Sequence, residues 1–180
     1  KGSKFKDKVI VITGAGSGIG QALARQLAAR RARLALSDIN DAQLQETMAS
    51  LPSGSRARGY KLDVSDKDAF QAHATEVLHD FGAAHAVINN AGATMVGTFN
   101  HRNLEEMEGQ LGVNLWGVIY GAKVFLPTFL AQGEGWIVNI SSSFGLIGYP
   151  AQAAYNISKF GVRGLTECLW QELEGTGVHA

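Results

Sequence analysis

The stretch KVIVITGAGSGIG, from Lys8 to Gly20, limits the fold more than any other part of this chain. Its continuous apolar, β-branched run at 8–13 is the pattern of a strand covered on both faces. A glycine-rich loop follows at once. Ile19, Leu23 and Leu27 then step by four, which predicts a helix with one apolar stripe.

The alternation continues to the end of the chain. RLALS (33–37), ARGYKLDV (57–64), HAVINN (85–90) and GWIVNIS (135–141) read as the second to fifth strands. The helix through about 50 is capped by Asn40 or Asp41, and Asn40 with Gln43 resembles a capping box. Ser65 or Asp66 caps the next, in which Phe70, Ala74, Val77 and Phe81 share a face before Gly82 ends it. A long helix from about 103 to 131 is expected to bend or end early at Pro127. A final helix runs from about 153 to 174. Such alternation predicts one α/β domain, a doubly wound, Rossmann-like parallel sheet of strand order 3-2-1-4-5 with right-handed crossovers. The last residues, GTGVHA, fall where a further strand should begin, and without it strand five would be an open apolar edge. The expectation is that residues 1–180 are the front part of a longer protein with further C-terminal strands. A compact five-stranded domain is the other reading.

Composition removes several classes of function. Apolar residues are 46% and charged residues 18% of the chain, which suits a globular protein and not a disordered one. Sixteen basic and sixteen acidic side chains cancel. No basic run interleaves with aromatics, so nucleic acid and membrane surfaces are not expected partners. No apolar stretch reads as the roughly 20 residues of a membrane helix, and no secretory signal is seen. One cysteine, Cys168, leaves no internal disulfide framework and fits a reducing, cytoplasmic setting. The histidines do not cluster at ligand spacing, so no metal site is expected. Glycine is the outlier, 22 in 180 residues against a usual share of about 7%.

The glycines concentrate where chemistry is expected. In TGAGSGIG (13–20) the backbone can approach a pyrophosphate closely, and the helix start offers unpaired N–H groups. Gly14, Ser17, Gly18, Ile19 and Gly20 are the candidates there. No G-K-[ST] follows, which argues for a dinucleotide over an ATPase; the bland alternative is a flexible turn. Asp38 ends strand two, twenty residues after Gly18. A carboxylate there can bond both ribose hydroxyls of an adenosine and repel a 2′-phosphate, so NAD is expected over NADP. Asp63, at the end of strand three, and Asn90, Ala91 and Gly92 of NNAG (89–92), at the end of strand four, share the carboxyl edge where ligands sit in such sheets.

Together, TGxxxGxG at 13–20, NNAG at 89–92, a serine within NISSS and Tyr155-x-x-x-Lys159 resemble the short-chain dehydrogenase/reductase family over about 8 to 175. The resemblance implies catalytic roles for Asn114, Ser142, Tyr155 and Lys159. It implies adenosine contacts from Asp38, Asp63 and Val64, and a structural or cofactor role for Asn90. It further implies one dinucleotide-binding and catalytic domain over 1–180, lacking its C-terminal substrate-binding segment, and a homodimer or homotetramer.

Tyr155 and Lys159 lie one turn apart on one helix face. A free tyrosine, with a pKa of about 10, is a poor base at neutral pH; a neighbouring ammonium favours the phenolate. Tyr155 would then exchange a proton with an alcohol or carbonyl substrate as hydride moves. Ser142 would hold the substrate oxygen, Lys159 would grip the nicotinamide ribose, and Asn114 would anchor a water in a proton relay. Chemistry alone does not choose among Ser141, Ser142 and Ser143; the family's serine-to-tyrosine interval selects Ser142. The expected activity is an NAD-dependent oxidation or reduction between a secondary alcohol and a ketone. A catalytically silent NAD-binding protein and an incomplete fragment are the alternatives.

Overall fold

The strand at the centre of the sheet, β1 (Val9–Thr13), is buried at all five positions because helices cover both of its faces. A computed structural model describes residues 3–180 of the chain. Parallel strands β2 (Arg33–Asp38) and β3 (Arg56–Lys61) lie on one side of β1, and β4 (Ala86–Asn89), β5 (Gly135–Asn139) and β6 (Val178–His179) on the other, in the order β3-β2-β1-β4-β5-β6. Register runs Val9↔Arg33 into β2 and Ile10↔Ala86 into β4. The order reverses between β1 and β4, which opens a crevice at their carboxyl ends.

Two apolar cores sandwich the sheet. On one face α1 (Gly18–Ala29) and α2 (Asp41–Ala49) pack Ala24, Leu27 and Leu44 on Ile10, Ile12, Leu34 and Leu36. On the other, α3 (Lys67–Phe81), α5 (Gly117–Gln132) and α6 (Ala153–Glu172) bring Phe70, Val77, Phe125, Phe129 and Leu169 onto Val11, Ala35, Val87 and Ile137, while α4 (Leu104–Leu111) packs on α6. Caps follow the sequence signals. Asn40 accepts from Gln43 N at 3.1 Å, Asp66 accepts from Asp68 N and Ala69 N, and Gly82 ends α3 in the left-handed conformation. A full reciprocal capping box forms elsewhere, between Asn103 and Glu106.

Several expectations are corrected. A sixth strand does begin within the chain: Val178 and His179 pair with Gly135 and Trp136, so part of the β5 edge is closed. What β5 exposes is the face carrying Trp136 and Val138. β3 stops at Lys61 because Asp63 turns the chain, its Oδ1 accepting from Ser65 N at 2.9 Å and Ser65 Oγ at 2.6 Å. Pro127 does not end α5, which continues to Gln132. Phe125 and Phe129, both fully buried, hold the helix to the sheet across the missing hydrogen bond. The break in this helix lies instead at Gly112–Trp116, a π-helical turn between α4 and α5. Contrary to expectation, the joined helix Leu104–Gln132 is long and apolar enough to cross a membrane: it runs 29 residues and contains an 18-residue stretch of mean hydropathy 1.3. Its Ala122, Phe125 and Phe129 join the core, while Leu104, Trp116 and Leu130 are exposed.

Candidate active site

Thr13 and Asn90 stitch the crevice together. Thr13 Oγ1 accepts from Asn90 N and Ala91 N, each at 3.1 Å, while Asn90 Nδ2 donates to Thr13 O at 3.0 Å and Gly14 O at 3.1 Å. The end of β4 thereby fixes the start of the glycine loop. Gly14 has φ +65°, and a Cβ there would lie 2.7 Å from Ala91 Cα. Gly18, at φ +52°, faces open space at the head of α1.

The crevice holds about 380 Å³ and is lined by Gly14, Ser17, Gly18, Ile19, Asp38, Asp63, Val64, Asn90, Ala91 and Gly92, all sequence candidates. Ile39, Leu62, Ala93 and Val113 complete the wall and were missed, because an isolated apolar residue carries no motif. Gly20 does not line it. It lies behind the loop, where a Cβ would overlap the Gly14 carbonyl oxygen, so it allows close packing of helix on loop. Asp38 Oδ2 accepts from Gly16 N at 2.8 Å and Oδ1 from Asn40 N at 2.9 Å, which fastens the carboxylate at the end of β2. Two carboxylates and no lysine or arginine line the crevice. A glycine-rich loop, a helix N-terminus and apolar flanks make a cradle that fits a dinucleotide.

A second group of side chains stands on α6 and the segment after β5. Lys159 is 5% exposed; its Nζ donates to Ile140 O at 2.8 Å and lies 5.5 Å from the centroid of the Tyr155 ring. Burial holds its ammonium below the ordinary lysine range. Ser141 Oγ donates to Lys159 O at 3.2 Å and is spent on the α6 backbone. Ser142 Oγ accepts from Phe144 N at 3.2 Å, and Ser143 opens a short 3-10 turn, Ser143–Gly145. Phe144 meets Tyr155 edge-to-face at 5.9 Å and 88°, which brings the ring two residues after Ser142 against the tyrosine.

Asn114 is fully buried in the π-helical turn. Its Oδ1 accepts from Ala93 N and its Nδ2 donates to Ala93 O, both at 2.7 Å. The amide therefore holds the loop that follows Gly92, a task the sequence does not reveal. Among the described residues no cluster of His, Cys, Asp or Glu could hold a metal ion.

Residues 8–180 match the family model for short chain dehydrogenases. The Mycobacterium tuberculosis protein "Putative oxidoreductase SadH" is 48% identical over 172 residues, 95% of this chain and 62% of its own length. The chain thus spans less than two thirds of that relative. Meso-2,3-butanediol dehydrogenase of Serratia marcescens is 36% identical over 97% of this chain and 69% of its own. Among solved structures, a Burkholderia phymatum short chain dehydrogenase/reductase in complex with NAD superposes with a TM-score of 0.95 at 38% identity, covering 98% of this chain and 64% of that one.

Proposed function

The chain belongs to the short chain dehydrogenase family, and from that membership we propose an NAD-dependent oxidoreductase that moves hydride between nicotinamide and a secondary alcohol or ketone. The observation that carries this reading is the buried Lys159 ammonium 5.5 Å from the Tyr155 ring, on a sheet whose β1/β4 crevice fits a dinucleotide. Nicotinamide, when bound, supplies the hydride acceptor or donor.

The protein's own groups do the rest. Tyr155 takes the hydroxyl proton of an alcohol, or returns it to a carbonyl. Lys159 places a positive charge beside the phenol, which stabilises the negative charge that develops as the proton leaves. Ser142 holds the substrate oxygen by hydrogen bond. Asn114 keeps the loop after Gly92 in place. Asp38 and Asp63, with no cation among the lining residues, favour the free ribose hydroxyls of NAD over a 2′-phosphate. Relatives named for butanediol and threitol, both bearing secondary hydroxyls, support a small alcohol or carbonyl substrate. The outward Trp116, Leu130, Phe160 and Trp170 support association into a homodimer or homotetramer. The single free cysteine, Cys168, suits the cytoplasm.

The test uses the natural full-length protein: NADH and NADPH titrated by fluorescence, then a panel of secondary alcohols with wild type and Tyr155→Phe. NADH should bind more tightly than NADPH. The variant should keep that affinity while turnover falls by at least about a hundredfold. Retained turnover in Tyr155→Phe would remove Tyr155 as the acid-base group.

A further inference from the structure

The loop between Ser142 and α6 is mostly apolar, and Leu146, Ile147 and Tyr149 are all exposed. Nothing in that composition fixes its shape. Asn156, the residue after Tyr155, is buried and directs its side chain back along the loop. Its Nδ2 donates to Phe144 O and to Ile147 O, each at 2.8 Å, and its Oδ1 accepts from Tyr149 N at 3.1 Å. The amide thus spends both donors and its acceptor on three loop backbone groups, seven to twelve residues away in sequence. Its own N–H donates to Gln152 O at 2.8 Å, which ties the same residue into the first turn of α6.

The clamp has a consequence for the acid-base group. Fixing Phe144 O holds the backbone from which the Phe144 ring stands edge-to-face with Tyr155 at 5.9 Å. Fixing Tyr149 N sets the Tyr149 ring, which stacks on Phe144 at 4.8 Å and 11°. Ser142 belongs to the same turn, since its Oγ accepts from Phe144 N. One amide therefore sets the Ser142 turn, the ring against Tyr155 and the apolar flank beside them. No shorter or acceptor-only side chain reproduces two donations and one acceptance.

We propose that Asn156 is a positioning residue that fastens the 144–149 loop to the Tyr155 helix, pre-building the aromatic wall Phe144–Tyr149 against the proton-transferring phenol. The proposal rests on the reading of Tyr155 given above, and its test separates the two. Asn156→Ala removes the clamp; Asn156→Asp keeps the size but sets a carboxylate against two carbonyl oxygens.

The first arm needs no substrate. Tyr155 ring signals, identified in tyrosine-labelled protein by their loss in Tyr155→Phe, carry the ring-current shift of Phe144. They should move toward unperturbed tyrosine positions in both Asn156 variants. The second arm measures turnover and NADH affinity. With the crevice untouched, NADH should bind within about twofold of wild type, while kcat/KM falls on the order of tenfold to a hundredfold, as for a misplaced reacting group. Unmoved Tyr155 signals would overturn the proposal. So would moved signals with unchanged kcat/KM in an active wild type, or NADH affinity and turnover falling together with the melting temperature. Moved signals in a protein whose wild type turns over no alcohol would uphold the clamp and sink the reading of the reaction.

Discussion

Lys159 Nζ donates to the carbonyl oxygen of Ile140 at 2.8 Å, across nineteen residues of chain. The bond joins the second turn of α6 to the residue just past β5, so the ammonium does not depend on substrate or cofactor for its position. Ser141 closes the same junction from the other side by donating to Lys159 O. A charge that is buried and held is also a charge under penalty.

That penalty has a sign. Burial lowers Lys159 below its ordinary value of 10.5. Between the folded value and 10.5 the unfolded chain holds a proton that the folded chain has released. Stability therefore rises with pH across that window. Lys159→Met removes this contribution, so its denaturation midpoint should respond less to pH between neutrality and about pH 10 than wild type does, the window in which an ordinary lysine stays charged. Tyr60, held above the usual tyrosine range by burial and by its bond to Asp80, acts alike in both proteins. Equal pH responses would show that the ammonium is not penalised. Turnover in the variant should fall on the order of a hundredfold.

Asp38 is fixed by Gly16 N and Asn40 N, so its carboxylate is pre-set and not recruited by a ligand. A 2′-phosphate brought there meets like charge, which costs several kcal/mol when desolvated. In Asp38→Ala the NADPH-to-NADH affinity ratio should rise on the order of tenfold or more by that argument. A ratio that stays put would leave Asp38 as a fastener of the loop alone.

The parts legible in the sequence are those fixed by local pattern. Continuous apolar runs placed β1, β4 and β5, and Gly14, Ser17, Gly18 and Ile19 of the first carboxyl-edge stretch share one crevice with Asn90, Ala91 and Gly92 of the second. What escaped depends on contacts between distant residues. The π-helical turn at Gly112–Trp116 goes with the Asn114–Ala93 pair, across 21 residues, and no periodicity in the helix announces it. Ser142 is singled out among three serines only by the family's interval, because the bond that occupies Ser141, to Lys159 O, reaches eighteen residues along the chain. Gly20 read as a cofactor glycine from its spacing, yet its reason is the carbonyl of Gly14 pressed against it. Asn156 carries no local sequence signal, because its partners precede it in an irregular loop.

Gly20→Ala tests the packing role. The added methyl would overlap the Gly14 carbonyl oxygen and crowd Asn90 Nδ2 at 2.7 Å; both atoms belong to the clamp that shapes the crevice. The loop must shift, at a cost on the order of 1–3 kcal/mol. NADH affinity and melting temperature should fall together, in contrast to Tyr155→Phe. Loss of affinity at wild-type stability would mean that Gly20 approaches the ligand directly.

His73 offers a test of the core away from the site. It is 5% exposed on α3, with Tyr60 at 4.9 Å and Phe70 at 6.1 Å between ring centroids. Neither ring nitrogen has a partner among the described residues. Burial pushes its pKa from 6.5 down to about 4. Between those values the unfolded chain binds a proton that the folded chain refuses, so stability is full above pH 6.5 and is lost as the pH falls toward 4. The loss approaches about 3 kcal/mol at roughly 1.4 kcal/mol per pKa unit. His73→Leu replaces an unsatisfied imidazole with an apolar side chain, so it should match or exceed wild-type stability at pH 7 and lose less of it by pH 4. Denaturant midpoints of the two proteins at both pH values decide the matter. A histidine variant that falls no further than the leucine variant would mean that the ring finds a partner when protonated.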